Sequence, residues 1–402
     1  MNAPSPDHVG EDSARLRSAM VAAFSATAPH VRPTVAEAMR TVPREAFVPS
    51  YFLREDLHEG PGFRLVRRDS DPALWLAQAY RDHSLATQLD GAVHADTVVA
   101  DAGPWHGTPT CSASQPSLVA GMLDLLAVDP GMRVLEIGTG TGYNAALLCE
   151  LTEVGDVFTV EYDPSLAAKA ESRLKAAGYS PSVVVGDGGL GLPGSAPFDR
   201  IMTTCSFPAV SASWLEQLSL HGRAVVNLTT GIPVGILAVL TRDGADHGIG
   251  GVVAQRAWFM ATRTSPSNHA LDLMRSANPG KTPVRPTGLR WTDVVSADGL
   301  YVLAALRLDA HLLISFTEDG QKRYSLLADD GSAASQQGDT VAESGPRRLW
   351  HELEDIAQNW SRLGAPSRED FDLSVQFDSG NTSATVVHRA SGWSSPARGI
   401  TA

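Results

Sequence analysis

A glycine-rich turn between an apolar strand and a helix could bind a ligand in the stretch RVLEIGTGTGYNAALL (133–148). The pattern predicts a buried strand over 133–137 and a helix that continues to about residue 151. Between them lie three glycines that let the backbone turn tightly, Gly138, Gly140 and Gly142. Such a turn is expected to direct backbone N–H groups at a ligand.

Three acidic residues lie at the ends of successive predicted strands. Glu136 stands just before the glycines, Glu161 ends the next strand, and Asp187 ends the third strand in VVVGDGG. An acid at position 161 can accept hydrogen bonds from both hydroxyls of a ribose. Asp187 and the backbone beside it, including Gly188, can contact an adenine. Taken singly, Glu161 or Asp187 would more often be a solvated charge or a helix cap, but three such acids together favour a nucleoside ligand.

The spacing of the glycines separates the candidate cofactors. A dinucleotide-binding turn has the spacing GxGxxG, which holds a pyrophosphate at the helix N-terminus. Here the spacing is GxGxG, and the Glu136 carboxylate would repel a pyrophosphate but could orient a cationic amino-acid end. The sequence therefore predicts S-adenosylmethionine (SAM) as the cofactor and disfavours a nicotinamide oxidoreductase.

Strands alternate with helices from residue 114 to residue 228, which predicts a parallel sheet covered on both faces. Further strands are predicted at DVFTVEYD, SVVVGDG, FDRIMTTC and GRAVVNL, and helices at SQPSLVAGMLDLLAV, PSLAAKAESRLKAAG and SASWLEQL. Two short helices precede them at SARLRSAMVAAF and VAEAMRTVP. The stretch 54–110 is interpreted as loops and short strands that reach over a site.

Beyond about residue 231 the pattern changes to short strands separated by turn residues. The predicted strands are VGILAVLTR, LYVLAALR, LLISFT, RYSLLAD and LSVQF, and DDGSAASQQGD is interpreted as a loop. The segment PRRLWHELEDIAQNWSRLG predicts an amphipathic helix whose apolar stripe packs in a core. The fold class is therefore α/β, with a mainly parallel core and an additional C-terminal α+β domain.

The composition excludes several classes of function. The 402 residues are 43% hydrophobic, enough for a real core, and the formal net charge of −13 argues against nucleic acid or an anionic membrane as a partner. Cys111, Cys149 and Cys205 show neither CxxC nor Cys/His spacing, so no metal site or disulfide framework is expected. Reduced thiols, no export signal and no apolar run of roughly 18 residues predict a cytoplasmic protein.

Several segments together resemble the protein-L-isoaspartate (D-aspartate) O-methyltransferase family. They are VAEAMRTVPREAFVP, VLEIGTGTGYNAALL, VEYD, GDGGLGLPGSAPFDRIMTT and LEQLSLHGRAVV, in the family's order over about residues 33–228. The resemblance implies a Rossmann-like methyltransferase fold, SAM as cofactor and a carboxylate as methyl acceptor. The family has a serine in a Thr-Ile-Ser-x-Pro-like segment, which SASQP matches at Ser114, so Ser114 is expected to be catalytic. The local sequence also suits Ser114 as a helix N-cap.

The implied methyl transfer needs few catalytic groups. A carboxylate is already an anionic nucleophile, and a sulfonium already carries a good leaving group, so alignment worth up to roughly 7–11 kcal/mol can suffice. Ser114 would hydrogen-bond the acceptor carboxylate and aim one oxygen at the methyl carbon. No catalytic histidine, metal ion or covalent intermediate is required.

Two departures from that family point to a specialised substrate. The segment AVHADTVVADAGPWHGTPTCSA stands where the family has a short loop, and the chain continues well past the last matched strand. With AWFM (257–260) and GPRRLW (345–350), this long form resembles extended methyltransferases of actinobacterial ribosomally synthesised peptides, including graspetide and lanthipeptide systems. The expected division is a substrate-site region (1–110), a SAM-binding core (111–230) and a peptide-recognition domain (231–402).

The second resemblance implies an Asp side chain of a cyclised precursor peptide as the substrate. Its methyl ester would be attacked by the next backbone amide nitrogen, methanol would leave, and an aspartimide would form, whose hydrolysis gives isoaspartate. The alternative is a repair enzyme that methylates isoaspartate in damaged proteins. A third hypothesis is a catalytically silent scaffold that binds SAM or a peptide.

Overall fold

The structure, a computed structural model, divides into two compact units, residues 1–204 and 205–402. The residues that it describes are 6–27, 31–57, 60–99, 103–153, 155–253, 256–263, 273, 283–317, 320–378 and 380–400. No helix in this part of the chain is both long enough and apolar enough to cross a bilayer.

The N-terminal part of the first unit combines helices with a small antiparallel sheet. Its elements are α1 (Pro6–Thr27), α2 (Pro33–Thr41), β1 (Ser50–Leu57), β2 (Gly60–Arg67), α3 (Pro72–Ala79), β3 (Leu85–Leu89), β4 (Val93–His94) and β5 (Pro109–Ala113). The strand order is β2-β1-β3-β4, and β5 also pairs with β3. The sequence predicted no helix between residues 54 and 110. Helix α3 begins there because Asp71 accepts a hydrogen bond from the Leu74 N–H at 3.0 Å and caps it.

The rest of the first unit is a parallel α/β core. Its elements are α4 (Pro116–Leu126), β6 (Val134–Ile137), α5 (Tyr143–Thr152), β7 (Val157–Glu161), α6 (Pro164–Ala176), β8 (Ser182–Val185) and β9 (Phe198–Phe207). The strands lie in the order β9-β6-β7-β8, and each of these pairs is parallel. The chain proceeds outward from β6 to β8 and then crosses to the other side of β6. This order confirms the predicted Rossmann-like α/β class.

The second unit contains two antiparallel sheets, several α-helices and two short 3₁₀ helices among its described residues. One sheet has the order β20-β19-β18-β12-β11-β10 and the other the order β13-β17-β16-β15-β14. The strands are β10 (Leu218–Leu228), β11 (Ile236–Arg242), β12 (His247–Val252), β13 (Val284–Pro286), β14 (His311–Phe316), β15 (Lys322–Leu327), β16 (Ala333–Gln337), β17 (Thr340–Ser344), β18 (Phe371–Asp378), β19 (Asn381–His388) and β20 (Ser394–Pro396). The helices are α7 (Ala212–Gln217), α8 (Trp291–Ser296), α9 (Asp298–Arg307) and α10 (Leu349–Arg362). The additional C-terminal α+β region is therefore present.

Two predictions for the C-terminal region were wrong. The segment LYVLAALR lies in helix α9 rather than in a strand, and residues 299–306 are buried all round. A helix that is apolar on every side has no polar face, so its hydrophobic pattern does not distinguish it from a buried strand. The supposed loop DDGSAASQQGD contains strand β16, whose Ala333 and Ala334 are buried.

The predicted core helix of this region is α10. Four residues of its apolar stripe are buried: Leu349, Trp350, Leu353 and Ile356. The Trp350 ring centroid lies 6.4 Å from that of Trp291 on α8, which is also fully buried. The stripe therefore packs in a core, as predicted.

Candidate active site

The glycine turn lies at the place in the core sheet where the strand order reverses. It follows β6, whose neighbours β7 and β9 are reached by connections that proceed in opposite directions along the sheet. Ligands of open α/β sheets bind outside the carboxyl ends of the strands at such a point. The turn itself demands glycine, because Gly138 and Gly142 have φ of 102° and 89°. The predicted turn is thus placed where a ligand site is expected.

The N–H groups of the three glycines donate to acceptors within the protein rather than to a ligand. Gly138 donates to the Val160 carbonyl at 2.8 Å, and Gly142 donates to the Thr139 carbonyl at 2.9 Å. Gly140 donates to the Glu161 carboxylate at 2.8 Å. Two of these acceptors belong to the end of β7 and one to the turn itself, so all three N–H groups are paired, as buried backbone N–H groups almost always are. The glycines therefore shape the turn.

Glu161 ties the glycine turn to the next helix. One carboxylate oxygen accepts from the Gly140 N–H and the other accepts from the Asp163 N–H at 3.0 Å. The side chain is nearly buried, with the residue 7% exposed. A carboxylate offers about four acceptor positions, so two remain for the hydroxyls of a ribose. Its place at the end of β7 suits the predicted contact with SAM.

Asp187 and Gly188 follow β8, the strand next to β7. The exposed Asp187 accepts a hydrogen bond from the Gly189 N–H at 2.8 Å and so caps a short helical turn. Gly188 is half-buried in that turn. The backbone joins the two acids, because Gly186 donates to the Glu161 carbonyl at 2.9 Å. Glu161 and Asp187 are therefore neighbours at one edge of the sheet.

Apolar side chains are exposed at the same strand ends. Tyr162 follows β7, Val185 ends β8, and Leu190 lies in the turn after Asp187. They are 52%, 52% and 63% exposed, unusual for large apolar residues. Such a surface beside two carboxylates fits the base and the ribose of an adenosine. The residues present therefore fit SAM.

Glu136 lies inside the protein rather than on the surface of this site. It is fully buried, and its two carboxylate oxygens accept from the Asn144 amide and the Thr159 hydroxyl, both at 2.7 Å. Burial raises the pKa of Glu136 to about 7. This placement does not favour the predicted contact with the cationic end of SAM. Glu136 instead braces β6 against the start of α5.

Ser114 lies half-buried between β5 and α4. It is not the helix N-cap that the local sequence also suggested, because Gln115 occupies the cap position and Pro116 begins the helix. The cap acceptor is supplied by Asp82, which accepts from the Ser117 N–H at 2.8 Å. The Ser114 side chain therefore does not cap helix α4.

Strand β5 lies against the glycine turn and ends directly before Ser114. A Cβ atom added to Gly140 would lie 3.6 Å from the Cys111 sulfur and 3.8 Å from the Ser112 carbonyl oxygen. Ser114 comes two residues after Ser112. The segment that carries the candidate acceptor residue therefore passes directly against the candidate cofactor turn.

Two buried side chains of this region were not predicted. Arg44 is fully buried and donates to the Ser114 carbonyl at 2.9 Å. Gln88, also fully buried, donates to the Asp163 carboxylate at 3.0 Å and so links β3 to the start of α6. Arg44 belongs to the matched segment VPREAFVP, which was the available signal, but an arginine in sequence is usually taken as a surface residue.

Comparisons with known proteins agree on one family. The family model described as protein-L-isoaspartate(D-aspartate) O-methyltransferase (PCMT) matches residues 78–244. The chain is 40% identical to a protein-L-isoaspartate O-methyltransferase of Gloeobacter violaceus over 161 residues, which are 39% of this chain and 75% of that relative. It is 49% identical to the protein of the same name from Methanococcoides burtonii over 119 residues, 29% of this chain and 59% of that relative.

A solved structure named protein-L-isoaspartate O-methyltransferase shares the fold over nearly the whole chain. The alignment has a TM-score of 0.52 and 22% sequence identity. It covers 92% of this chain and 98% of the solved chain. The fold of a protein with that name therefore extends over both units of this chain.

Proposed function

This chain belongs to the protein-L-isoaspartate O-methyltransferase family, and from that premise we propose that it methylates the carboxylate that an isoaspartyl linkage leaves free in a protein or peptide. It is a SAM-dependent carboxyl O-methyltransferase. The observation that carries the proposal is the passage of β5 against Gly140, where Ser112 is two residues before Ser114. The proposed acceptor residue thus follows directly after a strand that lies against the proposed cofactor turn.

The cofactor residues are assigned from their places at the strand ends. Glu161 would accept the ribose hydroxyls, and Asp187 with Gly188 would contact the adenine. The turn of Gly138, Gly140 and Gly142 lets the cofactor approach the backbone closely. When bound, SAM supplies a methyl group on a sulfonium, which is a strong electrophile. All remaining steps belong to the side chains of the protein.

Ser114 acts on the acceptor carboxylate. Its hydroxyl donates a hydrogen bond to one oxygen and leaves the other oxygen free to attack the methyl carbon. The carboxylate is already anionic, so no general base has to remove a proton. Catalysis then depends on the alignment of the two reactants.

A second candidate substrate is an Asp side chain in a cyclised precursor peptide. It is favoured by the segment 92–113, which stands in place of a short loop and, in its described part, forms β4 and β5 on the way to Ser114. Methylation, attack by the next backbone nitrogen and loss of methanol would leave the peptide one water lighter. The length of the chain does not favour it, since the solved structure with the family name covers 92% of this chain. For either substrate we propose residues 231–402 as the recognition region.

Methyl transfer from labelled SAM separates the two candidates. The acceptors are a short isoaspartyl peptide, the same peptide with ordinary aspartate, and a ring-containing peptide from a neighbouring precursor gene. Label on the isoaspartyl peptide alone supports the main proposal. A ring peptide that loses the mass of one water, with no label on the isoaspartyl peptide, replaces it by the second candidate.

A further inference from the structure

The backbone on either side of Ser114 is held by two charged side chains that have no other assigned role. On one side, Arg44 donates from one terminal nitrogen to the carbonyls of Ser114 at 2.9 Å and Ala113 at 3.3 Å. The same nitrogen donates to the His83 carbonyl at 3.1 Å, and the other terminal nitrogen donates to the Ala79 carbonyl. One guanidinium thus binds two separate chain segments, residues 79–83 and residues 113–114.

On the other side, Asp82 holds the two residues that flank the start of α4. Its carboxylate accepts from the Ser117 N–H and the Ser117 hydroxyl, each at 2.8 Å. It also accepts from the Gln115 side-chain amide at 2.9 Å. Arg44 also binds the carbonyl of His83, which directly follows Asp82 in the chain. The hydrogen bonds of Arg44 and of Asp82 therefore involve the same loop. Ser114 is therefore fixed between residue 113 and residue 117.

The chemistry of Arg44 indicates a purpose beyond stability. It is 0% exposed, its hydrogen bonds among the described residues go to carbonyl groups rather than to a carboxylate, and its Nε has no partner there. Burial lowers the pKa of Arg44, which reflects the cost of keeping a charge out of water. Packing alone is served as well or better by an apolar residue of similar volume. A planar fork of donors, in contrast, can fix several carbonyls at once.

We propose that Arg44 and Asp82 are positioning residues that fix the backbone of residues 113–117 and thereby aim the Ser114 hydroxyl at the acceptor carboxylate. Neither side chain touches the reactants. The proposal rests on the proposed function, because it assigns Ser114 the acceptor contact. Removing the hydrogen bonds of either Arg44 or Asp82 should therefore lower the rate of methyl transfer without weakening the binding of SAM.

The test compares Arg44→Lys, Arg44→Gly and Asp82→Asn with the wild-type enzyme. A lysine keeps the charge but lacks the fork, so kcat for the isoaspartyl peptide is expected to fall by about 10- to 100-fold. The Kd for SAM, measured by calorimetry, should stay within about twofold. Added guanidinium at millimolar concentration should restore part of the kcat of Arg44→Gly and leave Asp82→Asn unchanged. A purely structural role would not give a rescue of kcat at an unchanged melting temperature.

The control is Arg133→Lys. Arg133 lies just before β6, at the end of the strand opposite to the glycine turn, and also donates to backbone carbonyls, those of Ser195 at 2.6 Å and Pro197 at 3.3 Å. This variant should lower the melting temperature but leave the kcat of the folded enzyme unchanged. Arg44→Lys and Asp82→Asn with wild-type kcat, or losses that follow the melting temperature alone without rescue, overturn the positioning roles. Wild-type enzyme that transfers no methyl group to any acceptor overturns the proposed function instead, and this proposal with it.

Discussion

The carboxylate of Glu161, at the end of one strand, accepts a hydrogen bond from the backbone N–H of Gly140, in the turn after the neighbouring strand, at 2.8 Å. This bond joins the two parts of the site that would contact the ribose and the rest of the cofactor. It also fixes the direction of the carboxylate before any ligand binds. The first prediction follows from this double role.

Glu161→Gln should weaken SAM binding by roughly 10- to 100-fold, which is the value of one or two hydrogen bonds to a charged group. The amide keeps one acceptor oxygen with two lone pairs, so it cannot accept from the Gly140 and Asp163 N–H groups and from two hydroxyls at the same time. Calorimetric titration with SAM measures the change. Glu171→Gln, on the exposed face of α6, is the matched control and should bind like the wild-type enzyme. Equal affinities of all three proteins would contradict the assignment of Glu161.

Gly142→Ala should destabilise the fold by about 1–2 kcal/mol, because Gly142 has a φ of 89° that L-residues rarely adopt. An added Cβ would also lie 3.2 Å from the Leu174 side chain. Urea denaturation measures the free energy of unfolding. Gly194→Ala is the control, since nothing lies within 4 Å of its added Cβ. A Gly142→Ala protein as stable as the control would show that the turn tolerates a side chain.

The burial of Glu136 predicts a pH dependence of stability. Its pKa is raised from 4.5 to about 7 in the folded protein, so the folded state binds a proton more tightly than the unfolded state does. The stability contributed by the protonated form is complete below pH 4.5 and is lost as the pH rises towards 7. The loss is on the order of 3 kcal/mol.

Glu136→Gln removes this titration while keeping the shape of the side chain. The free energy of unfolding of the variant, relative to the wild-type protein, should therefore rise between pH 4.5 and 7 and stay level above pH 7. Denaturation series at several pH values measure this difference. A difference that does not change with pH would mean that Glu136 ionises normally inside the fold.

Local patterns predicted much of the core. Glycines or acids stand at or just after the ends of β6, β7 and β8, and the apolar pattern of these strands was strong enough to place the turn, Glu161 and Asp187 at one edge. The hydrogen bonds of the glycines were not predictable in the same way. Their acceptors belong to other strand ends, such as Val160 and Glu161, whose approach depends on the assembled sheet.

Contacts between distant segments were missed for the same reason. The partners of Arg44 are carbonyls at residues 79, 83, 113 and 114, and a backbone carbonyl carries no signal in the sequence. Helix α9 was mistaken for a strand because burial on all sides removes the periodicity of a helix. Sequence patterns report the local surroundings of a residue, whereas these features depend on tertiary packing.

Methyl transfer by a Ser114→Ala variant tests whether Ser114 aligns an isoaspartyl carboxylate beside the cofactor turn. Rates with an isoaspartyl peptide and the Kd for SAM are measured on the same preparation, with Ser172→Ala on the exposed face of α6 as the control. We expect a kcat lowered by about 10- to 100-fold, an unchanged Kd for SAM and a control that behaves like the wild-type enzyme. A Ser114→Ala enzyme that methylates the isoaspartyl peptide at the wild-type rate would contradict this expectation.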